Sequence, residues 1–171
     1  MKERVMSKKF RHYIGLAVAV LLYYIIHEGA HLAVALAKGV FKQINLIGMG
    51  VQIDVYAEQM SDTQMGLFCL AGPVATLIAG WLLVVFVGPI CRIGSDVVRT
   101  CAWYTSLTML MLDAVYLSVF YRWVGGGDMN GIALLAPEWV VSVVAVAVGA
   151  LNAILIWKVL YPAYTKSFAQ N

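Results

Sequence analysis

Apolar residues in this chain run in long blocks, and four of these blocks are long enough to cross the roughly 30 Å hydrocarbon core of a bilayer, which takes about 20 helical residues. They are Tyr13 to Ala37, Met65 to Ile90, Val97 to Tyr121 and Val140 to Tyr161. The fold class this predicts is an all-α membrane protein with about four transmembrane helices. The first block follows a basic segment, as the core of a signal peptide does. It is too long for that role, and it lacks a clear small-residue cleavage site.

Two connecting segments break the pattern. From Ile44 to Tyr56, Val51, Ile53 and Val55 alternate with Gln52, Asp54 and Tyr56 after a Gly48-Met49-Gly50 break. This alternation predicts a short β-hairpin or re-entrant loop after the first helix; the plainer reading is an interfacial loop. The second segment, Gly125 to Glu138, carries three glycines before Asp128-Met129-Asn130-Gly131 and closes at Pro137. It reads as a loop or a re-entrant piece, which at membrane depth needs protein or a water-filled cavity to cover its backbone polar groups.

Composition agrees with the blocks. Hydrophobic residues make up 62% of the 171 and charged residues 12%, far from the balance of a soluble domain. The length suits a single polytopic domain over residues 1–171, with no linker-like stretch dividing it. The net charge of +3 does not point to nucleic acid, because Lys2, Arg4, Lys8, Lys9 and Arg11 gather beside the first apolar block and flank a membrane. Cys69, Cys91 and Cys101 form no CxxC pair and read as packing residues. Gly80 and Gly88 read as close helix contacts. Trp103, Trp123, Trp139, Trp157, Tyr121 and Tyr161 lie mostly near block ends, as interfacial anchors do.

The candidate chemistry lies inside the first block. His27-Glu28-Gly29-Ala30-His31 has HExxH spacing, and on an α-helix residues four apart are offset by only about 40° and about 6 Å. Both imidazoles can therefore grip one metal ion, while Glu28 on the adjoining face takes a proton from a water the metal activates. A charged carboxylate near the middle of a membrane helix costs roughly 2.5–3.5 kcal/mol on insertion scales, so such residues are read first as functional. A structural hydrogen-bond cluster is the bland reading. Two imidazoles and a carboxylate suit zinc, one ion per chain, and a catalytic zinc commonly takes three protein ligands. Asp128, on a glycine-rich turn that can be aimed into the bundle, is the favoured third ligand. Asp113, inside the third block, is the alternative, or else a partner that orients a ligating histidine.

His27 to His31 in one span, Ala71-Gly72-Pro73 in the next, and a Gly-Asp pair before the last together resemble the site-2 protease family of intramembrane zinc metalloproteases. The resemblance covers most of the chain as an ordered set of motifs. It implies zinc on His27, His31 and Asp128, Glu28 as general base, and a membrane-embedded peptide as substrate. The chain departs from the family pattern where Thr76 stands in place of an asparagine after the second-span proline. It departs again where Gly-Gly-Gly-Asp-Met-Asn-Gly replaces a proline-rich run ending in Leu-Asp-Gly; Leu112-Asp113 is followed by Ala114. Thr76, Asn130 or Asn152 is then the candidate to polarise the scissile carbonyl.

Four spans put both termini on one side. Lys2, Arg4, Lys8, Lys9, Arg11, Arg92, Arg99, Lys158 and Lys166 share that side, against Lys38, Lys42 and Arg122 on the other. The excess predicts cytoplasmic termini, in the cell membrane of a prokaryote. His27 then lies about 21 Å beyond Tyr13, in the half of the bilayer away from the cytoplasm, whereas the resemblance implies a site nearer the cytoplasmic face. Two other functions use the same residues: a non-catalytic scaffold, and a small metal or ion transporter with His27, His31, Asp113 and Asp128 along its path.

Overall fold

The computed structural model describes residues 7–47, 50–125 and 127–169. Lys2, Arg4, the Gly48-Met49 part of the hairpin break and Gly126 of the triple glycine lie outside the described residues. The protein is 80% helical, with one short two-stranded sheet. In chain order the elements are α1 (Lys8–Lys38), β1 (Phe41–Ile47), β2 (Gly50–Val55), α2 (Asp62–Val85), α3 (Val87–Cys91), α4 (Asp96–Ser118), α5 (Gly127–Ile132), α6 (Glu138–Leu155), a π turn over Ile156–Leu160, and α7 (Tyr161–Ala169).

Local chemistry sets the helix ends. Ser7 caps α1, accepting from the Phe10 N–H, and Gly39 ends it at φ 69°, a conformation that costs glycine nothing. Ser61 and Gln64 form a reciprocal capping box at the start of α2, and Ser95 caps α4. Each such cap contributes about 1 kcal/mol.

Three helices are long and apolar enough to cross a membrane: α1, α2, and the run from Glu138 to Ala169 that joins α6 to α7. The third expected block, Val97 to Tyr121, forms α4, which has the length at 23 residues but does not meet the same apolar measure. The reason is visible in its packing. Arg99, Thr100, Thr105, Ser106 and Asp113 are all buried on α4, which packs against α1, α2 and α6. Apolar residues point outward instead: Leu16, Val20 and Ile25 on α1, Ile78 and Leu82 on α2, and Val143, Val144 and Ile154 on α6 are exposed.

Inside lipid the hydrophobic effect does not draw helices together, so close backbone approach and hydrogen bonds must do so. In α1 the buried residues are Gly15, Ala19, His27, His31 and Ala35, a stripe at four-residue spacing with Tyr23 at the remaining step. A methyl group at Gly15 would stand 2.8 Å from the Tyr104 ring and 3.0 Å from Thr100, both on α4. Gly80 serves close packing as expected, since a Cβ there would stand 2.8 Å from Leu110. Gly88 does not: a Cβ there meets nothing within 4 Å. Asn152 ties three helices together, donating to the Leu110 carbonyl at 2.6 Å and accepting from the Trp81 indole at 3.0 Å. Asn152 is fully buried, and those bonds hold the bundle together.

The hairpin forms as an antiparallel β1–β2 pair with an irregularity between Phe41 and Gln43. Ile53 and Val55 are buried with Ala35 and Val40, which docks the hairpin on the end of α1. Trp123, Trp139, Trp157 and Tyr161 are exposed, but Tyr121 is buried. Its hydroxyl donates to Glu138 and accepts from Arg122, so it is a packing residue rather than an interfacial anchor. Cys69, Cys91 and Cys101 are free thiols.

Candidate metal centre

His27 and His31 occupy successive turns of the buried stripe of α1 and so point the same way, their rings 4.9 Å apart. His31 Nδ1 lies 2.8 Å from the Phe68 carbonyl of α2. A carbonyl can only accept, so the ring proton sits on Nδ1 and the Nε2 lone pair faces the opposite direction. The residue before Pro73 in α2 supplies the space for that lone pair. A Cβ at Gly72 would stand 2.5 Å from His31 Nε2 and 2.6 Å from His27 Nε2. Any larger residue would therefore fill the point on which both nitrogens converge.

The third group arrives from the opposite side. The loop expected over Gly125 to Glu138 contains the six-residue α5, packed against α2. Gly127 has φ +29°, and a Cβ there would stand 2.6 Å from the Tyr116 hydroxyl; glycine is required at that step for both space and backbone. The next residue, Asp128, places Oδ2 3.0 Å from His27 Nε2 and Oδ1 3.4 Å from His31 Nε2. His27, His31 and Asp128 each offer a ligand atom, all within 4.8 Å of one another, and can hold a metal ion. Donors around a tetrahedral zinc with 2.0–2.1 Å bonds stand about 3.3 Å apart, close to the two distances to Asp128. The donor set, its spacing and the clearance at Gly72 thus fit a small divalent cation.

Asp113, the other carboxylate considered for this role, lies on the far side of His27. Its Oδ1 is 3.4 Å from His27 Nδ1, a buried nitrogen with no hydrogen-bond partner in the described structure. Tyr23, one turn before His27, donates to Asp113 Oδ1 at 2.6 Å, and the Thr76 hydroxyl donates to Oδ2. Asp113 is therefore a carboxylate held in place by two hydroxyls and turned toward the outer nitrogen of His27. A carboxylate on that side favours the Nδ1–H tautomer, in which the Nε2 lone pair is available for coordination.

The same bonds settle where Thr76 and Asn130 stand. Thr76 is fully buried, and its hydroxyl is shared among Asp113 and the Pro73 and Gly72 carbonyls. Asn130 is exposed and donates to the Gly125 carbonyl at 3.4 Å. Neither is among the residues that line the cavity described next.

Glu28 projects beside the ligand face into a cavity of about 530 Å³ that also reaches His31, Cys69, Tyr116 and Asp128. All six residues of β2 line this cavity, and none of Phe41 to Leu46 in β1 does. Side chains alternate between the two faces of a strand, so a wall formed by consecutive residues is a strand edge. It is the edge of β2 turned away from β1, with the Glu28 carboxylate against the Ile53 backbone. Sequence reading missed Tyr23 and the Phe68 carbonyl, and singled out Gly72 in the Ala71-Gly72-Pro73 motif without assigning it a role at the centre. Tyr23 had a usable signal, a hydroxyl four residues before His27 on the same helical face. The Phe68 carbonyl and the clearance at Gly72 carry none without the packing of α2 on α1. No family model matches the chain, and no curated protein or solved structure matches it either.

Proposed function

We propose that the protein is an intramembrane zinc metalloendopeptidase of the HExxH type that hydrolyses a peptide bond of a membrane-embedded or membrane-associated peptide. The observation that carries this reading is the convergence of His27, His31 and Asp128 beside a cavity that His31, Asp128, Glu28 and every residue of β2 line. A ligand set alone suits storage or transport. A ligand set with a carboxylate beside it and a peptide-sized groove over it suits hydrolysis. The ordered motifs that resemble the site-2 proteases support the same reading.

When bound, zinc would supply a Lewis acid that polarises a carbonyl and acidifies water. The chain's own residues do the rest. Glu28 removes a proton from the attacking water and returns it to the leaving amine. Asp113, fixed by Tyr23 and Thr76, holds the His27 ring in its ligating tautomer, and the Phe68 carbonyl does the same for His31. The β2 edge pairs with an extended substrate, satisfying backbone groups that lipid would leave bare.

The membrane placement in this reading has α4 as a fourth span, its polar side covered by α1, α2 and α6. The excess of basic residues near the described chain ends supports cytoplasmic termini, and the prokaryotic cell membrane is the matching location. His27 is about 16 Å of helical rise from Lys38 and about 29 Å from Lys8, so the centre lies in the half of the bilayer away from the cytoplasm. In this the chain departs from what the family resemblance implies.

The test is cleavage of single-span peptides by the protein in nanodiscs supplied with zinc, with products read by mass spectrometry. Cleavage by the wild type and its loss in Glu28→Gln is the expected result. No cleavage, together with zinc flux into sealed vesicles that survives Glu28→Gln, would overturn the proposal in favour of transport, which needs ligands but no general base.

A further inference from the structure

A second cavity, of about 440 Å³, lies at the other end of the bundle, between the start of α1, the first turns of α4, and α7. Lys8, Arg11 and His12 line it, together with the rings of Trp103, Tyr161 and Phe168. It is about 24 Å of helical rise from His27, and the proposed hydrolysis does not use it.

Three observations define what it can take. First, its charge is one-sided. The first turns of α1 and α4 and the α7 helix, which surround it, carry Lys8, Lys9, Arg11, Arg99 and Lys166, and Asp96 is the acidic residue among those described turns. Asp96 is itself engaged by Arg11 and by Arg99. Second, its walls are amphipathic. The Arg11 and Arg99 guanidiniums lie 5.5 and 5.4 Å from the Phe168 ring centroid, Trp103 packs edge-on against Tyr164, and Tyr161 stacks on the exposed Trp157. Third, its depth is that of the headgroups. The apolar block of α1 starts at Tyr13, one residue beyond His12, and Trp157 and Tyr161 form an aromatic girdle of the sort found where hydrocarbon meets water.

We propose that this cavity binds the phosphate headgroup of an anionic phospholipid, with the glycerol and upper acyl chain against the aromatic rings. Basic hollows between helices on the cytoplasmic side take such headgroups, and each cation near the surface adds a few-fold to binding. A zwitterionic headgroup carries a positive group that the surrounding lysines and arginines repel. The bound lipid joins α1, α4 and α7, adding to the Arg99 and Cys91 bonds to Ser167 that tie α7 to the bundle. The inference rests on the membrane placement proposed above and is independent of the peptidase reading.

The experiment is quenching of tryptophan fluorescence in phosphatidylcholine bilayers containing a small fraction of brominated phosphatidylglycerol or, separately, brominated phosphatidylcholine. The expected result is stronger quenching by the phosphatidylglycerol probe, with the excess removed by Trp103→Phe. Lys8→Glu, a reversal at an exposed position, should weaken the preference by about an order of magnitude or more, at about fivefold per charge unit. Lys42→Glu, the same change of net charge on the hairpin, should leave it intact. Equal quenching by the two lipids in well-incorporated protein would overturn the lipid site alone, and failure to enter either bilayer would overturn the membrane placement as well. Displacement of the probe by inorganic phosphate at low millimolar concentration would also overturn it, showing a site for free phosphate.

Discussion

Each half of the bundle buries ionisable groups, and the two halves do so in different ways. Toward the chain ends, Arg99 is buried and its bonds close on neighbours: Asp96, the Ser167 hydroxyl and the Ser167 carbonyl. Arg11 shares Asp96, and both guanidiniums lie within about 5.5 Å of the Phe168 ring. Toward the hairpin, His27, His31 and Asp128 converge on a point that Gly72 keeps clear, beside a cavity. In the first arrangement the charges bond to neighbours on adjoining helices, the pattern of a structural ion network, although the Arg11 and Arg99 Nε groups have no partner among the described residues. In the second, the ligand atoms face a common space, and supporting groups such as Asp113 and Phe68 stand behind them. Buried charge alone thus does not mark a functional site in a membrane protein; the direction in which the charges point does.

Substitutions at the two ends should separate accordingly. Glu28→Gln is expected to keep zinc and fold while lowering peptide cleavage by about 10²- to 10⁴-fold, the usual worth of a general base; equal loss of zinc would instead make Glu28 a ligand. Gly72→Ala places a methyl group against both Nε2 atoms. It should reduce zinc affinity by more than 100-fold with unchanged helical circular dichroism, and unaltered affinity in a competition titration would show that the nitrogens do not meet there. Asp113→Asn retains the shape but weakens the hold on His27, with a loss of about 10- to 100-fold in zinc affinity. A complete loss matching that of His27→Ala would promote Asp113 to ligand. Arg99→Met, at the other end, should lower stability by about 2 kcal/mol through its charged hydrogen bonds and leave zinc content unchanged; a change in zinc content would couple the two halves.

The sequence carried the site further than it carried the supports around it. HExxH on a helix fixes two ligands through the helical repeat, and the glycine-flanked Asp128 is legible as a residue on backbone that can enter the bundle. Asp113 was ambiguous because its role depends on which side of His27 it reaches, and that follows from how α4 packs on α1. Four long apolar blocks predicted the main helices, but α4 reads as a span of the same kind only until its inward polar residues are separated from its outward ones. Tyr121 and Gly88 show the same limit, since position near a block end does not distinguish a buried ring from an exposed one, or an open glycine from a packed one. The hairpin was legible from alternation, while its use as a cavity wall follows from the docking of Ile53 and Val55 beside Ala35.

The proposed function stands on a zinc site formed by His27, His31 and Asp128, with Asp113 behind it. Elemental analysis of zinc-reconstituted, detergent-purified wild type, His27→Ala, Asp113→Ala and Asp128→Ala reads that site out, each variant checked for intact folding. The expected result is about one zinc per chain in the wild type, no retained zinc in His27→Ala and Asp128→Ala, and weakened but measurable zinc in Asp113→Ala. Well-folded wild type without zinc, or zinc undiminished in Asp128→Ala, would contradict it.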